Sequence, residues 1–253
     1  MDKSPTLTHA VISGATSGII TEVLRIRMER SPMRLSLIGR DPGRLKVVAS
    51  DLQVRSPASQ ISTYVVDFLD AASVSKLIIK IADLQPIDMA MVAQGQLPNQ
   101  ATCETDLVAC EAAISLNATS AALFAMAFAQ IMDQQGYGQL VILGSVAGDR
   151  GRQSNYVYGA TKAMLAKLAQ GLQHRFAGSP IHILLIKPGP TDTAMTADFK
   201  SQGMKLASSH DVARGILKAM DHKKPVAYVP GHWAIIMLII VHIPRWIFNK
   251  IRI

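Results

Sequence analysis

The stretch NYVYGATKAML, residues 155–165, carries a tyrosine at position 158 and a lysine at 162. In a helix, residues four apart leave the same face about one turn from each other. A phenol beside an ammonium is a unit that can give and take a proton. A free tyrosine titrates near pH 10, and a neighbouring cation favours the phenolate and lowers that value. The same spacing also describes an ordinary surface pair, so other residues must decide. Ser145 closes the apolar run GQLVILGS thirteen residues before Tyr158, and a serine there can donate to a carbonyl oxygen. Asn117, in ISLNATS, falls inside an apolar helical stretch. Its amide needs a partner there, and the plain reading is a satisfied core hydrogen bond.

A second set of residues suits a nucleotide. SGATSGII follows the first apolar run, and Gly14 and Gly18 allow a tight turn that leaves helix-start amides free for a pyrophosphate. Glycines at such turns also occur for structural reasons alone. The second run ends in IGRD, where an acidic group usually holds free ribose hydroxyls. Arg40 in that place favours a 2′-phosphate, and so NADP(H). Asp41 directly after it argues the other way, which keeps NAD(H) open, and a solvated loop arginine is the alternative. Asp67, ending VVD, either accepts from an adenine amino group or caps the next helix.

These residues must be positioned by an ordered set of elements. Strands are expected over 9–14, 34–40, 61–67, 87–95, 138–145, 181–189 and 225–231. Helical patterns fill the gaps: from the glycine turn to Arg30, then 44–53, 71–84, 107–132, 155–176 and 211–220. Strands alternating with helices imply parallel strands joined by right-handed crossovers, and apolar runs imply a sheet covered on both faces. The expectation is an α/β, doubly wound, Rossmann-type parallel sheet of seven strands with helices on both faces. A single catalytic, dinucleotide-binding domain would span residues 1–231, with an apolar and basic tail over 232–253.

The chain has 253 residues, 49% apolar and 17% charged, enough to bury a sizeable core. Cys103 and Cys110, seven apart and on one helix face if they share a helix, read as reduced thiols, and no cysteine or histidine cluster points to a metal. The opening residues hold no apolar signal region, so a cytoplasmic protein is expected. Net charge is +8, and residues 200–253 hold nine bases against two acids, +7 of that total. An anionic partner at that end is implied. Nucleic acid is a poor candidate, since aromatic residues are 5% and no nucleic-acid-binding motif is present.

Residues 234–241 are an unbroken apolar run of eight, short of the roughly 20 needed to span a bilayer. A buried helix, a subunit contact and an interfacial helix all suit that length. Pro244 should end it and start a second helix. There Arg245, Asn249 and Arg252 share a face, and Trp246, Ile247, Phe248 and Ile251 lie mostly away from it. An apolar face with a basic rim and a tryptophan suits the membrane interface, which gives peripheral contact at the cytosolic face.

Taken in order, the motifs of residues 8–230 resemble the short-chain dehydrogenase/reductase family, of the short NAD(P)-dependent type. Gly14-xxx-Gly18-Ile19 is similar to its glycine motif. Asn117, Ser145, Tyr158 and Lys162 are similar to its catalytic tetrad, and KPGPTDT to its Pro-Gly segment. The resemblance implies that Gly14, Thr16, Ser17, Gly18, Ile19, Arg40, Asp67, Gly95, Pro188, Gly189 and Thr193 hold the cofactor. Tyr158 and Lys162 would join them, with Lys162 on the nicotinamide ribose. It further implies Tyr158 as proton donor, Ser145 on the carbonyl oxygen, a water at Asn117 linking Lys162 to solvent, and a dimer or tetramer. Two departures stand out. The family's third glycine is Ile20, which should push the helix outward or force a local rearrangement. The usual Asn-Asn-Ala-Gly after the fourth strand is Val92-Ala93-Gln94-Gly95. The tail and KPGPTDTAMT are also similar to reductases acting on polyprenyl-phosphate-linked keto-sugars, which implies a lipid-linked ketone substrate. The competing readings are a soluble ketoreductase on an acyl thioester or small ketone, and a nucleotide-binding protein that no longer turns over and acts through a partner.

Overall fold

The computed structural model describes residues 7–201 and 203–251. Its strands are the short runs of β-branched and leucine residues, which suit a pleated surface buried on both sides. They are β1 (Thr8–Ser13), β2 (Met33–Gly39), β3 (Gln60–Val65), β4 (Met89–Val92), β5 (Gly138–Leu143), β6 (Ile181–Pro188) and β7 (Val226–Val229). All pair in parallel in one sheet of order β3-β2-β1-β4-β5-β6-β7. The helices are α1 (Gly18–Arg30), α2 (Pro42–Arg55), α3 (Ala71–Leu84), α4 (Gln100–Thr105), α5 (Leu107–Ile114), α6 (Ser120–Gln135), α7 (Tyr156–Arg175), α8 (Ala197–Ser201), α9 (Ser209–Asp221), α10 (Trp233–His242) and α11 (Arg245–Phe248). This is the doubly wound Rossmann-type architecture. Strand order runs outward from β1 to β3, then returns to β4 on the other side. That reversal opens a crevice at the C-terminal ends of β1 and β4.

Side-chain alternation along the strands builds two cores. Ala10 and Ile12 join Leu24, Leu45 and Ile216 on the side of α1, α2 and α9. Val11, Val92 and Ile142 join Ile78, Phe124 and Leu165 on the side of α3, α6 and α7. Ile20 lies fully buried in the first core, and α1 runs unbroken past it. The isoleucine is therefore absorbed by packing, and the local rearrangement expected of it does not occur within the helix.

The helix expected over 107–132 differs in two ways. It continues to Gln135, and a π-helical turn at Ser115–Thr119 interrupts it. A separate α4 precedes it, because Asp106 accepts from the Val108 and Ala109 amides at 2.9 and 3.2 Å and starts α5 afresh. Cys103 and Cys110 thus sit on successive helices, not on one face of a single helix, and both are free thiols. By length and composition Leu107–Gln135 could cross a membrane, but Phe124, Phe128 and Met132 are spent inside the second core.

The tail departs furthest from expectation. In α10 only Met237 is buried, while Ile235, Leu238 and Ile239 are 66%, 61% and 61% exposed, so the buried-helix reading fails. Pro244 ends α10 as expected, but α11 is a single turn; Arg252, expected on its basic face, lies outside the described residues. The tail is fastened at two points. Trp233 packs on Gly189 so closely that a Cβ there would come within 2.0 Å of the indole Nε1. The Arg150 guanidinium donates to the carbonyls of Ile240, Val241 and Ile243 at 2.5, 3.0 and 2.7 Å, and lies 3.8 Å over the Phe248 ring. Those carbonyls lie at the C-terminal end of α10, where a cation is favoured.

Arg150→Ala should therefore loosen residues 232–251 without unfolding the sheet. Limited proteolysis read by mass spectrometry should cut the tail at least about fivefold faster, with Tm lowered by no more than a few degrees. Unchanged cleavage would show that the Arg150 contacts do not hold the tail.

Candidate active site

β5 delivers the chain to the crevice. Beyond Gly144, Ser145 starts a short 3₁₀ turn, Val146–Gly148, and its Oγ accepts from the Ala147 amide at 3.1 Å. This turn lies flat against the start of α7. A Cβ on Gly159 would come within 2.8 Å of the Ala147 carbonyl oxygen, and one on Gly148 within 2.7 Å of the Lys162 backbone. The sequence reading assigned nothing to these two glycines, yet they allow the approach that lets the Ser145 side chain hydrogen-bond Tyr158. Lys162 is 4% exposed. Its Nζ donates to the Leu143 carbonyl at 3.1 Å and stands 5.6 Å from the centre of the Tyr158 ring.

The electrostatics reverse one expectation. Burial pushes the Tyr158 phenol up to about 12, against a smaller opposing pull from the Ser145 hydrogen bond. Burial also brings Lys162 down from 10.5 to about 8. The expected lowering by the cation is not what decides the phenol: desolvation penalises the phenolate and outweighs the Ser145 hydrogen bond. At neutral pH the pair is a neutral phenol beside an ammonium.

Asn117 sits on the π turn, fully buried. Its Oδ1 accepts from the Gln96 amide at 2.8 Å and its Nδ2 donates to the Ala113 carbonyl at 2.9 Å, so the side chain has the satisfied core bonds of the plain reading. It also belongs to the site. Gly95 has φ +157, and a Cβ on it would fall 2.7 Å from Asn117 Oδ1 and 3.5 Å from Lys162 Nζ. Gly95, Asn117 and Lys162 converge on one point.

At the nucleotide end, Gly14 adopts φ +71, and a Cβ there would lie 2.3 Å from the Gln94 amide nitrogen. Thr16 and Ser17 follow in the turn. Ser17 is the N-cap of α1 but its side chain caps nothing, whereas α2, α3 and α9 are capped by Asp41, Asp70 and Ser208. The first α1 amides thus have no side-chain acceptor from the N-cap. Gly18 meets the Thr193 methyl, 3.5 Å from where its Cβ would be, which brings the Pro188–Gly189–Thr193 segment to the glycine turn. Ile19 packs its side chain on the first core. Gln94 is 5% exposed and accepts from the Ser13 hydroxyl at 2.9 Å, while its Nε2 is buried without a partner. An uncapped helix start, a positive-φ glycine and an orphaned amide at the strand reversal suit a dinucleotide.

Arg40 and Asp67 stand apart from this cluster, exposed beyond β2 and β3. They are linked through Phe68, whose ring lies 5.7 Å from the Arg40 guanidinium. The helix-cap alternative for Asp67 falls to Asp70, which accepts from the Ser73 amide at 3.1 Å; Asp67 instead accepts from the Leu69 amide at 3.0 Å. Asp41 accepts from the Arg44 amide at 3.0 Å and is committed to capping α2. Among the described residues no group of three or more His, Cys, Asp or Glu could hold a metal.

A family model described as short chain dehydrogenase matches residues 8–203. An uncharacterized oxidoreductase of Staphylococcus aureus (strain USA300) is 29% identical over 221 residues, covering 86% of this chain and 92% of its own. A short-chain dehydrogenase from Sphingobium yanoikuyae, solved in complex with NADPH, superposes with a TM-score of 0.80 at 24% identity, over 94% of this chain and 97% of that one. A 3-oxoacyl-[acyl-carrier protein] reductase from Brucella melitensis, solved with NAD, gives 0.78 at 17% identity, over 92% and 99%.

The buried ammonium predicts a pH-dependent cost. The folded pKa of Lys162, about 8, lies below the unfolded 10.5, so the penalty is full below pH 8 and fades as pH rises towards 10.5. The shift corresponds to roughly 3 kcal/mol. Lys162→Met should therefore be more stable than wild type at pH 7 by about 1–3 kcal/mol in urea unfolding, with the gap closing by pH 10. A wild type that is the more stable at pH 7 would contradict this.

Proposed function

The chain belongs to the short-chain dehydrogenase/reductase family, and from that premise we propose that it uses NADP(H) to reduce the ketone of a lipid-linked substrate met at a membrane surface. The carrying observation is the neutral Tyr158 phenol, hydrogen-bonded to Ser145 with the Lys162 ammonium beside it, at the C-terminal end of β5. A nicotinamide bound in the crevice supplies the hydride. Tyr158 gives the proton to the carbonyl oxygen, since at neutral pH it is fully protonated. Ser145 donates to the same oxygen while the Ala147 amide holds its Oγ in place. The Lys162 charge stabilises the phenolate as the proton leaves, and its Nζ holds the ribose. Asn117 fixes the turn at Gly95 and keeps the water that links Lys162 to solvent.

Gly14, Thr16, Ser17, Gly18 and Ile19 would hold the diphosphate, Gly95 the nicotinamide ribose, Asp67 the adenine, and Pro188, Gly189 and Thr193 the carboxamide. NADP(H) is favoured over NAD(H) because the exposed Arg40 guanidinium, resting over Phe68, has no carboxylate partner among the described residues, while Asp41 is engaged as a helix cap.

The lipid reading rests on the tail. Ile235, Leu238, Ile239 and Trp246 are 61% or more exposed, Arg245 and Lys250 are exposed beside them, and Arg150 ties this surface to the loop between Ser145 and Tyr158. Apolar insertion flanked by bases that contribute roughly 1 kcal/mol each suits an anionic leaflet. The working form would be a dimer or tetramer at that surface.

Tyr158→Phe should lower kcat for NADPH-dependent ketone reduction by about 10²–10⁴-fold while leaving the NADPH Kd within about threefold, by fluorescence titration. In wild type, kcat/KM for reduction should fall above pH about 8, where Lys162 loses its proton, and not wait for Tyr158 near 12. A profile flat to pH 10 would remove Lys162 from the step. In flotation with anionic vesicles the wild type should rise with the lipid, and Leu238→Ser with Ile239→Ser should stay behind. If wild type ignores vesicles and the double variant changes oligomeric state, the tail is a subunit contact.

A further inference from the structure

Residues 149–155 join the Ser145 turn to the helix that carries Tyr158, and two of the three charges in them are fully occupied. Asp149 Oδ1 pairs with Lys187 Nζ at 2.5 Å, and its Oδ2 accepts from the Tyr228 hydroxyl at 2.7 Å. Arg150 is committed to three tail carbonyls and to Phe248. Arg152 has no such employment. It is half-buried, burial lowers its pKa, and the only opposing influence is the field of Asp149, whose oxygens are taken. No carboxylate among the described residues pairs with it, and its Nε is sealed from water without a partner.

Asn155, in the same turn, has the opposite need, an acceptor without a donor. Asn155 holds the N-cap position of α7, yet its side chain caps nothing. Gln100 Oε1 takes the Val157 amide instead, at 3.1 Å. Asn155 Oδ1 is left sealed and unpaired, and the Asn155 amide donates to the Arg152 carbonyl at 3.1 Å, so both residues belong to one turn. A guanidinium half withdrawn from water, with its Nε unpaired and no anion facing it, is costly to maintain. A planar fork of donors matches the oxygens of a phosphate or a carboxylate better than any other ligand.

We propose that Arg152 receives an anionic group of the substrate, a phosphate or a carboxylate carried close to the reducible carbonyl. The inference rests on the ketoreductase reading and narrows its substrate class to anionic ketones.

NADPH oxidation with two matched pairs tests it: dihydroxyacetone phosphate against dihydroxyacetone, and acetoacetate against its methyl ester. Arg152→Gln should raise KM for the anionic member of at least one pair by about tenfold or more, with kcat within about threefold and the neutral member unchanged. Arg152→Lys should recover part of the loss. Whichever pair responds names the anion. Equal effects on both members of each pair, or none, would overturn the proposal. A second readout needs no turnover. With NADPH saturating, inorganic phosphate or acetate should raise the Tm of wild type and not of Arg152→Gln, and equal shifts in both would also overturn it. If wild type reduces none of the four ketones, the ketoreductase reading fails for these substrates, and the anion titration still decides Arg152.

Discussion

An ammonium group stripped of water is costly to keep, and this chain keeps one at its centre. Lys162 is buried under the C-terminal end of β5 with the Leu143 carbonyl as its hydrogen-bond acceptor and no paired carboxylate among the described residues. A carboxylate there would neutralise the charge and make the site cheaper and inert. A carbonyl dipole holds the position of Nζ without cancelling its charge, so the field remains available to the phenol 5.6 Å away. That arrangement needs a rigid surround, because a mobile one would let water in and the charge out.

The doubly wound sheet provides that surround. Two cores clamp the strands from opposite faces, so strand ends are fixed and the loops beyond them inherit defined positions. The close contacts then fall at residues without side chains. Gly148 and Gly159 let the serine turn lie on α7, Gly95 lets the fourth-strand loop reach Asn117 and Lys162, and Gly14 lets the first loop touch Gln94. Each pair joins segments far apart in the chain. The π turn at Ser115–Thr119 serves the same end by presenting Asn117 towards that loop instead of along the helix.

The sheet was legible in the sequence because continuous apolar runs bounded by turn residues have few other uses, and all seven strands fall where those runs do. What was hidden depends on competition between neighbours. Asp67 and Asp70 were both eligible to cap α3, and only backbone geometry awards the cap to Asp70. The direction of the Tyr158 shift depends on burial, which spacing does not report; YxxxK shows that a cation is near and not how dry the phenol is. Ile20 read as an obstacle because the sequence lists the missing glycine but not the space the core makes for a larger side chain. The tail's second helix shrank to one turn, and the clasp by Arg150 was invisible because it joins a loop arginine to carbonyls about ninety residues later.

The ionisation state of the pair also bears on direction. Burial keeps the phenol protonated at pH 7, so the resting side chain carries its proton. Oxidation of an alcohol would need the phenolate, or a further positive charge close enough to create it. Reduction would start from the protonated phenol, with the hydride supplied by a bound nicotinamide. Lys162 near 8 is charged in most molecules at pH 7 and neutral in most at pH 9. The same burial that disfavours the phenolate therefore places the lysine's titration in the physiological range. One desolvated pocket moves both values, in opposite directions, because burial disfavours the charged form of each group.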